Sequence, residues 1–458
     1  MATESATTAA ALPDDVLAGI LRRLPLRSLA VSRCVCKSWR AAMDEHQLLL
    51  PRSVRGLFIN YGNHCYLRRS HFFARPAVAV DDGPMIDGKF SFIDPDKLSV
   101  VEFVDHCNGL ILFFRPLDQA MYVCNPATQR WARLPPHPAG TLRRGRRRPP
   151  CSGEDPCVSR RRAFLVFDPA VSPHYTVMLA PDELTRDEAK GNHMEWPPSP
   201  WMWHEFSSRS GRWEEKVFVR EGEAAGTVQG LLFDSFGYAF NPKWRYAAYW
   251  QGELYVDCVA NMFRGKLSLL NNKYQVIKTP IDLEERNKDV RSYLGRSENG
   301  VYFAAIDGMD TLWVWILGEY GDEMEWVPKH QVNLNARSWW LHEQRYDKLK
   351  YDEPWILDKY NKEKYRKVSA QRKVCWDSDE DDIIDASDDK EEEIYSGSVK
   401  ILGFHPFKEV IFLCNKDSAV ACHMNSSKVQ YLGLTGLEGL YDSDERESFV
   451  YTPCLIGD

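Results

Sequence analysis

The chain has 458 residues, of which 44% are apolar and 27% charged, with a formal net charge of −7 and 12 cysteines. That is the composition of an ordinary globular protein with one small and one large domain, or two to three average ones. No apolar run reaches the roughly 18 residues that cross a bilayer, and MATESATTAAALPDD lacks the basic-then-apolar pattern of a secretory signal. The expected location is therefore the cytoplasm and/or nucleus, with no membrane partner and with reduced thiols.

Residues 1–10 are expected to be disordered, and the first folded unit spans 11–50. Leu17, Ile20, Leu21 and Leu24 recur at three- and four-residue intervals, which places them on one helical stripe. Pro13 suits the first turn, and Asp14 and Asp15 favour the positive end of the helix dipole, so the spacing predicts a helix over 13–23. Pro25 interrupts it. Ser28 is placed to cap a second short helix carrying Leu29, and Val35, Cys36 and Trp39 form a third apolar group. Three helices of this size fall below the roughly 40 residues at which a domain usually needs external help to fold. The missing burial has to come from a partner or from the rest of the chain.

The ordered set Leu12-Pro13, Ile20-Leu21, Arg23-Leu24-Pro25, Ser28-Leu29 and Arg33-Cys34-Val35-Cys36-Lys37-x-Trp39-Arg40 resembles the F-box. This motif docks substrate-recognition subunits onto the Skp-type linker of SCF ubiquitin ligases, and through it onto a cullin scaffold. The resemblance implies linker-binding positions at Leu12, Pro13, Leu17, Ile20, Leu21, Leu24, Pro25, Leu29, Val35, Cys36 and Trp39. Gly19 and Leu26 depart from the pattern, and a glycine inside a helix costs about 1 kcal/mol relative to alanine. Periodicity alone would favour an ordinary helical cap packed on the body of the protein; the complete motif reverses that preference.

From about residue 57 to 458 the texture becomes strand-like. Short aliphatic or aromatic runs alternate with turn residues at Asn108-Gly109, Asn125-Pro126, Ser210-Gly211, Gln251-Gly252, Asn271-Asn272, Asn299-Gly300 and 406–409. Trp131, Trp213, Tyr274, Trp326 and Tyr431 mark a recurring strand-turn-strand unit. Repeated antiparallel units of this kind point to an all-β, β-propeller-like domain, for which six or seven blades are expected, with a β-sandwich as the alternative. Two charged inserts interrupt the pattern. Residues 140–162 form a basic one, with eight arginines between 143 and 162. Residues 376–396 form an acidic one, with eleven Asp or Glu between 377 and 393. DHCNGLILF followed by YVCNPATQRWARLP resembles the opening blade of the F-box-associated β-propellers of large plant families. The fold class is thus α+β overall, a small three-helix F-box followed by the propeller-like domain.

No chemistry-bearing motif emerges. The chain has no Gly-rich phosphate loop, H-E-x-x-H or G-x-S-x-G elbow. His106 and Cys107 are neighbours on a strand and point to opposite faces, which suits a structural role. Cys151 and Cys157 have no local partner at zinc-ligand spacing, so no metal or cofactor is expected. Trp196, Trp201, Trp203, Trp339 and Trp340 fit core packing better than a ligand surface. The arginines at 143, 144 and 146–148 lack the aromatic interleaving of a nucleic-acid site, and no nucleic-acid partner is expected. The resemblance implies a non-catalytic adaptor that binds an unknown target protein through the β-rich domain. A scaffold or sequestering protein that retains the helices as a structural cap stays open.

Overall fold

A computed structural model describes residues 13–456. It omits 63–67, 76–85, 94–101, 138–161, 182–192, 230–243, 259–262, 281–289, 308–310, 335–354, 358–383, 386–398 and 436–443, together with the short positions 22, 25, 47, 50–52, 89, 116–117, 321–322, 416–417 and 427. Both charged inserts, Trp339, Trp340, Cys151 and Cys157 lie largely or wholly outside the described residues.

The helices come first: α1 spans Asp14–Leu21, α2 Leu26–Ser32 and α3 Lys37–Glu45. Helix α1 is shorter than its periodicity suggests. The amides of Arg23 and Leu24 bond back to the carbonyls of Ile20 and Leu21, a tight turn that ends the helical ladder. Ser28 is not a cap. Helix α2 begins two residues before it, and the Ser28 carbonyl accepts a hydrogen bond from the Ser32 hydroxyl at 2.7 Å. The N-cap of α3 is Cys36, whose Sγ accepts from the Trp39 amide at 3.5 Å. A bidentate Arg33–Asp44 pair, at 3.1 and 3.0 Å, ties the residue after α2 to α3.

Strands follow in chain order. They are β1 (Gly56–Gly62), β2 (Arg68–Ala74), β3 (Glu102–Cys107), β4 (Leu110–Arg115), β5 (Ala120–Asn125), β6 (Arg130–Arg133), β7 (Ala163–Val166), β8 (Thr176–Leu179), β9 (Glu195–Trp196), β10 (Trp201–Ser207), β11 (Arg212–Glu221) and β12 (Gly226–Thr227). Next are β13 (Trp244–Trp250), β14 (Glu253–Cys258), β15 (Phe263–Ser268), β16 (Lys273–Lys278), β17 (Arg291–Ser297), β18 (Gly300–Ile306), β19 (Thr311–Tyr320), β20 (Glu323–Asn333), β21 (Ile356–Leu357), β22 (Ile384–Asp385), β23 (Val399–Phe404), β24 (Val410–Asn415), β25 (Ser418–His423), β26 (Lys428–Leu434) and β27 (Asp444–Tyr451).

Antiparallel pairing groups most of these into six units among the described residues. Sheet I has the order β27-β1-β2-β21, sheet II β3-β4-β5-β6, sheet III β7-β8-β10-β11, sheet IV β13 to β16, sheet V β17 to β20, and sheet VI β23 to β26 with β22 on its edge. Sheets III and IV merge into one eight-stranded sheet, because Val219–Glu221 of β11 pair in parallel with Lys273–Gln275 of β16. That junction covers two outer edges that would otherwise present unpaired backbone groups.

Turn chemistry fixes the strand registers. Asn108 (φ 46°) with Gly109 (φ 90°) and Gln251 (φ 48°) with Gly252 (φ 86°) form two-residue reversals of the kind that match strand twist. The β17–β18 reversal sits one residue earlier than its sequence suggests. Ser297 pairs directly with Gly300, so the turn is Glu298-Asn299.

Burial falls from the inner to the outer strands. In sheet II, LILFF of β4 is wholly buried, whereas RWAR of β6 is exposed. A strand buried on both faces needs neighbours on both, which explains its unbroken apolar run. Six apolar clusters supply them. They fill the gaps I–II (Phe58, Phe103, Phe113), II–III (Leu112, Leu165), III–IV (Trp203, Leu254), IV–V (Tyr255, Phe303), V–VI (Tyr302, Ile411) and VI–I (Phe412, Leu57), closing a cycle. The cycle closes covalently distant parts. Strand β1 pairs with β27 from Gly56↔Tyr451 to Gly62↔Asp444.

The two faces of this ring differ. Connections at the far ends of the first strands β3, β7, β13, β17 and β23 are short: 108–109, 167–175, 251–252, 298–299 and 405–409. The opposite face takes the connections 134–162, 180–200, 222–243, 279–290 and 334–398, the last of which also supplies β21 and β22.

Gly433 tests how β21 is held. Its φ is +140°, and a Cβ there would lie 2.4 Å from the Trp355 carbonyl oxygen, next to the Trp355 amide bond to the Leu432 carbonyl. Gly433→Ala should therefore lower stability by about 1–3 kcal/mol, read as a lower urea midpoint with an unchanged m-value; an unchanged midpoint would contradict the packing described.

Candidate functional site

Two places gather the side chains of interest, and the first is the surface of the helices. Leu17, Ala18, Leu21, Leu29, Ala42, Met43, Leu48 and Leu49 are buried in one cluster, with Leu24 and Trp39 half-buried against it. These hold α1 to α3. Other apolar side chains face outward: Ile20 is 47% exposed, Val35 is 62% exposed, and Val16 and Val31 are also exposed. Pro13 and Cys36 lie on the surface as well. Leu12 and Pro25 lie outside the described residues.

The sequence-derived set thus divides. Leu17, Leu21 and Leu29 build the interior, while Pro13, Ile20, Val35 and Cys36 are accessible. Val16 and Val31 were missing from the set. Val16 stands four residues before Ile20, one helical turn away on the same face, so spacing carried a signal for it. Gly19 has nothing within 4 Å of an added Cβ, so the site does not require glycine.

The second place is the centre of the ring, where the first strands crowd together. Strand β3 meets β7, β13 meets β17, β17 meets β23 and β23 meets β27. Polar groups from several of these strands converge there. An Arg162 Nη lies 3.4 Å from both Glu447 carboxylate oxygens. The Leu165 amide donates to Asp105 Oδ2 at 2.7 Å. The Tyr293 hydroxyl donates to the Ser448 carbonyl at 3.5 Å, and its ring lies 4.2 Å from that of Tyr246. Nearer the short-turn face, Arg296 sits 5.8 Å from the Phe407 ring, within electrostatic reach of His106 and Cys107 across the ring.

Burial dominates the electrostatics. It pushes the Asp105 carboxyl up to about 7, against the opposing pull of Arg162, and pushes His106 down to about 4 with help from Arg296. Burial likewise raises the Cys107 thiol to about 12, so it stays protonated and unreactive near neutral pH, donating to the Phe167 carbonyl at 3.3 Å. Among the described residues no group of three or more His, Cys, Asp or Glu is placed to hold a metal ion. No helix among them is long and apolar enough to cross a membrane.

These shifts have opposite consequences for stability. The folded chain holds the Asp105 proton more tightly than the unfolded one, so its contribution is full below about pH 4 and disappears as pH rises through 7. His106 works the other way, contributing above its ordinary 6.5 and losing that contribution as pH falls through 4. Asp105→Asn removes only the first slope. Its stability relative to the native chain should rise by on the order of 2–3 kcal/mol between about pH 5 and 8 in urea titrations. A difference that stays flat across this range would contradict a neutral buried carboxyl.

A family profile described as the F-box domain matches residues 10–50. An F-box protein of Arabidopsis thaliana is 30% identical over 122 residues, covering 26% of this chain and 32% of the relative. An F-box/kelch-repeat protein of the same plant is 26% identical over 140 residues, covering 27% and 36%. The chain spans about a third of the length of the curated relatives it matches. Among solved structures, AztD of Citrobacter koseri aligns over 86% of this chain and 82% of its own at 9% identity, with a TM-score of 0.32 that is too low to define a shared fold. The helices α1 to α3, the apolar residues they leave outside and the matched span coincide: residues 10–50 are an F-box domain, and over about a quarter of its length the chain is similar to F-box proteins of Arabidopsis thaliana.

Proposed function

We propose that this chain is the non-catalytic substrate-recognition subunit of an SCF-type ubiquitin ligase. The F-box binds a Skp-type linker and, through it, a cullin scaffold, while the ring of sheets binds a target protein for ubiquitination. Holding the target beside the ubiquitin-charged enzyme raises the effective concentration of its lysines, which accelerates transfer without a reactive group in this chain. In this reading the six sheets are the blades of a β-propeller and α1 to α3 are a three-helix F-box.

The observation that carries the proposal is the division within the helices. A module that served only as a cap would bury its apolar stripe against the rest of the chain. Here Leu17, Leu21 and Leu29 already complete an interior, yet Val16, Ile20, Val31 and Val35 remain outside it. Burying such side chains in a partner is worth about 1.5–3 kcal/mol each when complete. The target would meet the face that takes the long connections, since binding residues concentrate on loops held by a rigid scaffold. That face lies opposite the short turns and the F-box.

Replacing Ile20 and Val35 together by Glu should abolish co-purification with a Skp-type linker and move the melting temperature little, because both positions are exposed. Leu21→Ala should instead lose about 2–4 kcal/mol of stability, because Leu21 is fully buried. Undiminished linker capture by the double variant would overturn the proposal.

A further inference from the structure

The F-box and the ring are joined twice. The first join is covalent, through residues 50–55. The second is made by residues 452–456, which leave β27 on the short-turn face and run back beneath the helices. The Arg55 amide bonds to the Tyr451 carbonyl at 2.9 Å, which brings the two joins side by side.

Contacts along 452–456 change hands from ring to helices. Cys454 is fully buried within the cluster that fills the gap between sheets II and III. Its carbonyl accepts from Asn125 Nδ2 at 2.8 Å. Gly109 presses on it so closely that an added Cβ would lie 2.5 Å from the Cys454 Cβ and 2.6 Å from its amide nitrogen. One residue on, the Leu455 amide bonds to the Leu49 carbonyl at 3.2 Å. Leu455 and Ile456 pack against the helical cluster, and Ile456 belongs also to the fringe of the II–III cluster. Among the described residues, the helical cluster takes in only these two side chains from beyond residue 49.

We propose that residues 452–456 are a strap that sets the orientation of the F-box on the ring, with Leu455 and Ile456 as its positioning residues. A single covalent connection acts as a hinge, because backbone torsions on either side of it leave rotation free. A second attachment, gripped by Asn125 and Gly109 at one end and by Leu49 and the helical cluster at the other, removes that freedom. Among the described residues, these contacts of the strap involve neither the exposed Val16, Ile20, Val31 and Val35 nor the long connections. It therefore acts on the geometry between two binding surfaces rather than on either one. If the chain is a ligase subunit, which rests on the reading above, the strap fixes how far a bound target stands from the ubiquitin-charged enzyme.

The test is a distance measurement on the full chain, with spin labels carried by unnatural amino acids at the exposed positions Glu45 and Val171, neither of which belongs to the apolar surface assigned to the linker. Double electron–electron resonance should give one narrow distance in the native sequence. Leu455→Ser with Ile456→Asp should broaden that distribution at least twofold while linker capture persists. Ile456→Ala, which is milder, should broaden it to a smaller degree and serves if the double variant fails to fold. A distribution already broad in the native chain, or one that Ile456→Ala leaves unchanged, overturns the strap. Loss of linker binding in the native chain would overturn the ligase reading instead and leave the distance result intact.

Discussion

The pairing of β1 with β27 is the constraint on which the rest of the molecule depends. Two of the six apolar clusters, those between sheets I and II and between sheets VI and I, exist only if sheet I is assembled. Sheet I in turn is made of segments 56–74, 356–357 and 444–451, β27 joining it through β1 and β21 through the pairs Phe73↔Leu357 and Ala74↔Ile356. Closing a loop of nearly the whole chain is less costly than it sounds, since the entropic penalty grows only by about 0.6 kcal/mol per doubling of length. What the closure contributes is the absence of an open end. Every buried sheet then has a neighbour on both faces, and runs such as LILFF in β4 can be apolar without interruption.

That dependence explains which parts of the fold were legible in the sequence. Trp131, Trp213, Tyr274, Trp326 and Tyr431 fall in β6, β11, β16, β20 and β26, the fourth strands of sheets II to VI. A local pattern recovered them because the four strands of each of those sheets follow one another along the chain, with only the two-residue β9 interposed in sheet III. Sheet I has no such marker, being a composite of distant pieces, and β21 contributes only two residues to it. The helical segment was legible as a unit for the same reason of locality. Its division into interior and surface was not, because Leu17, Ile20 and Leu21 share one period and differ only in what lies opposite them. Ser28 misled because a serine before an apolar residue suits a cap, whereas α2 had already begun at Leu26.

At the ring's centre the ordinary rules of a strand are reversed, and that is why the convergence of Asp105, Arg162 and Glu447 was not legible in the sequence, although His106 was read there as structural. Along β3, EFVDHC interrupts apolar positions with Asp105 and His106, and along β27 Glu447 and Ser448 precede Phe449. Read locally, those polar residues look like a solvated face. In the structure they meet one another: Asp105, Arg162 and Glu447 come from three different strands or their flanks, with Arg162 paired to Glu447 and opposing the effect of burial on Asp105, while Glu447 adds to it. Only the narrowing of the ring around its axis makes them neighbours. A charge inside a strand that is otherwise buried was the one signal available, and it points to the axis of the ring rather than to a reactive centre.

The same topology separates what must stay constant from what can vary. Short turns close one face, and two of them carry the tightest demands: Gly109 is fixed by Cys454, and Ser297 donates its hydroxyl to the carbonyls of His405 and Lys408, both at 2.9 Å. The F-box sits on that face, so its seat is built from backbone geometry that tolerates little change. The other face takes connections of very different lengths, from 416–417 to 334–398, and the strands that receive them are already held by their inter-sheet clusters. The two charged stretches of the sequence, basic between β6 and β7 and acidic before β23, both belong to connections of that face. One end of the molecule is thereby committed by packing to a fixed attachment, and the longest connections are confined to the other.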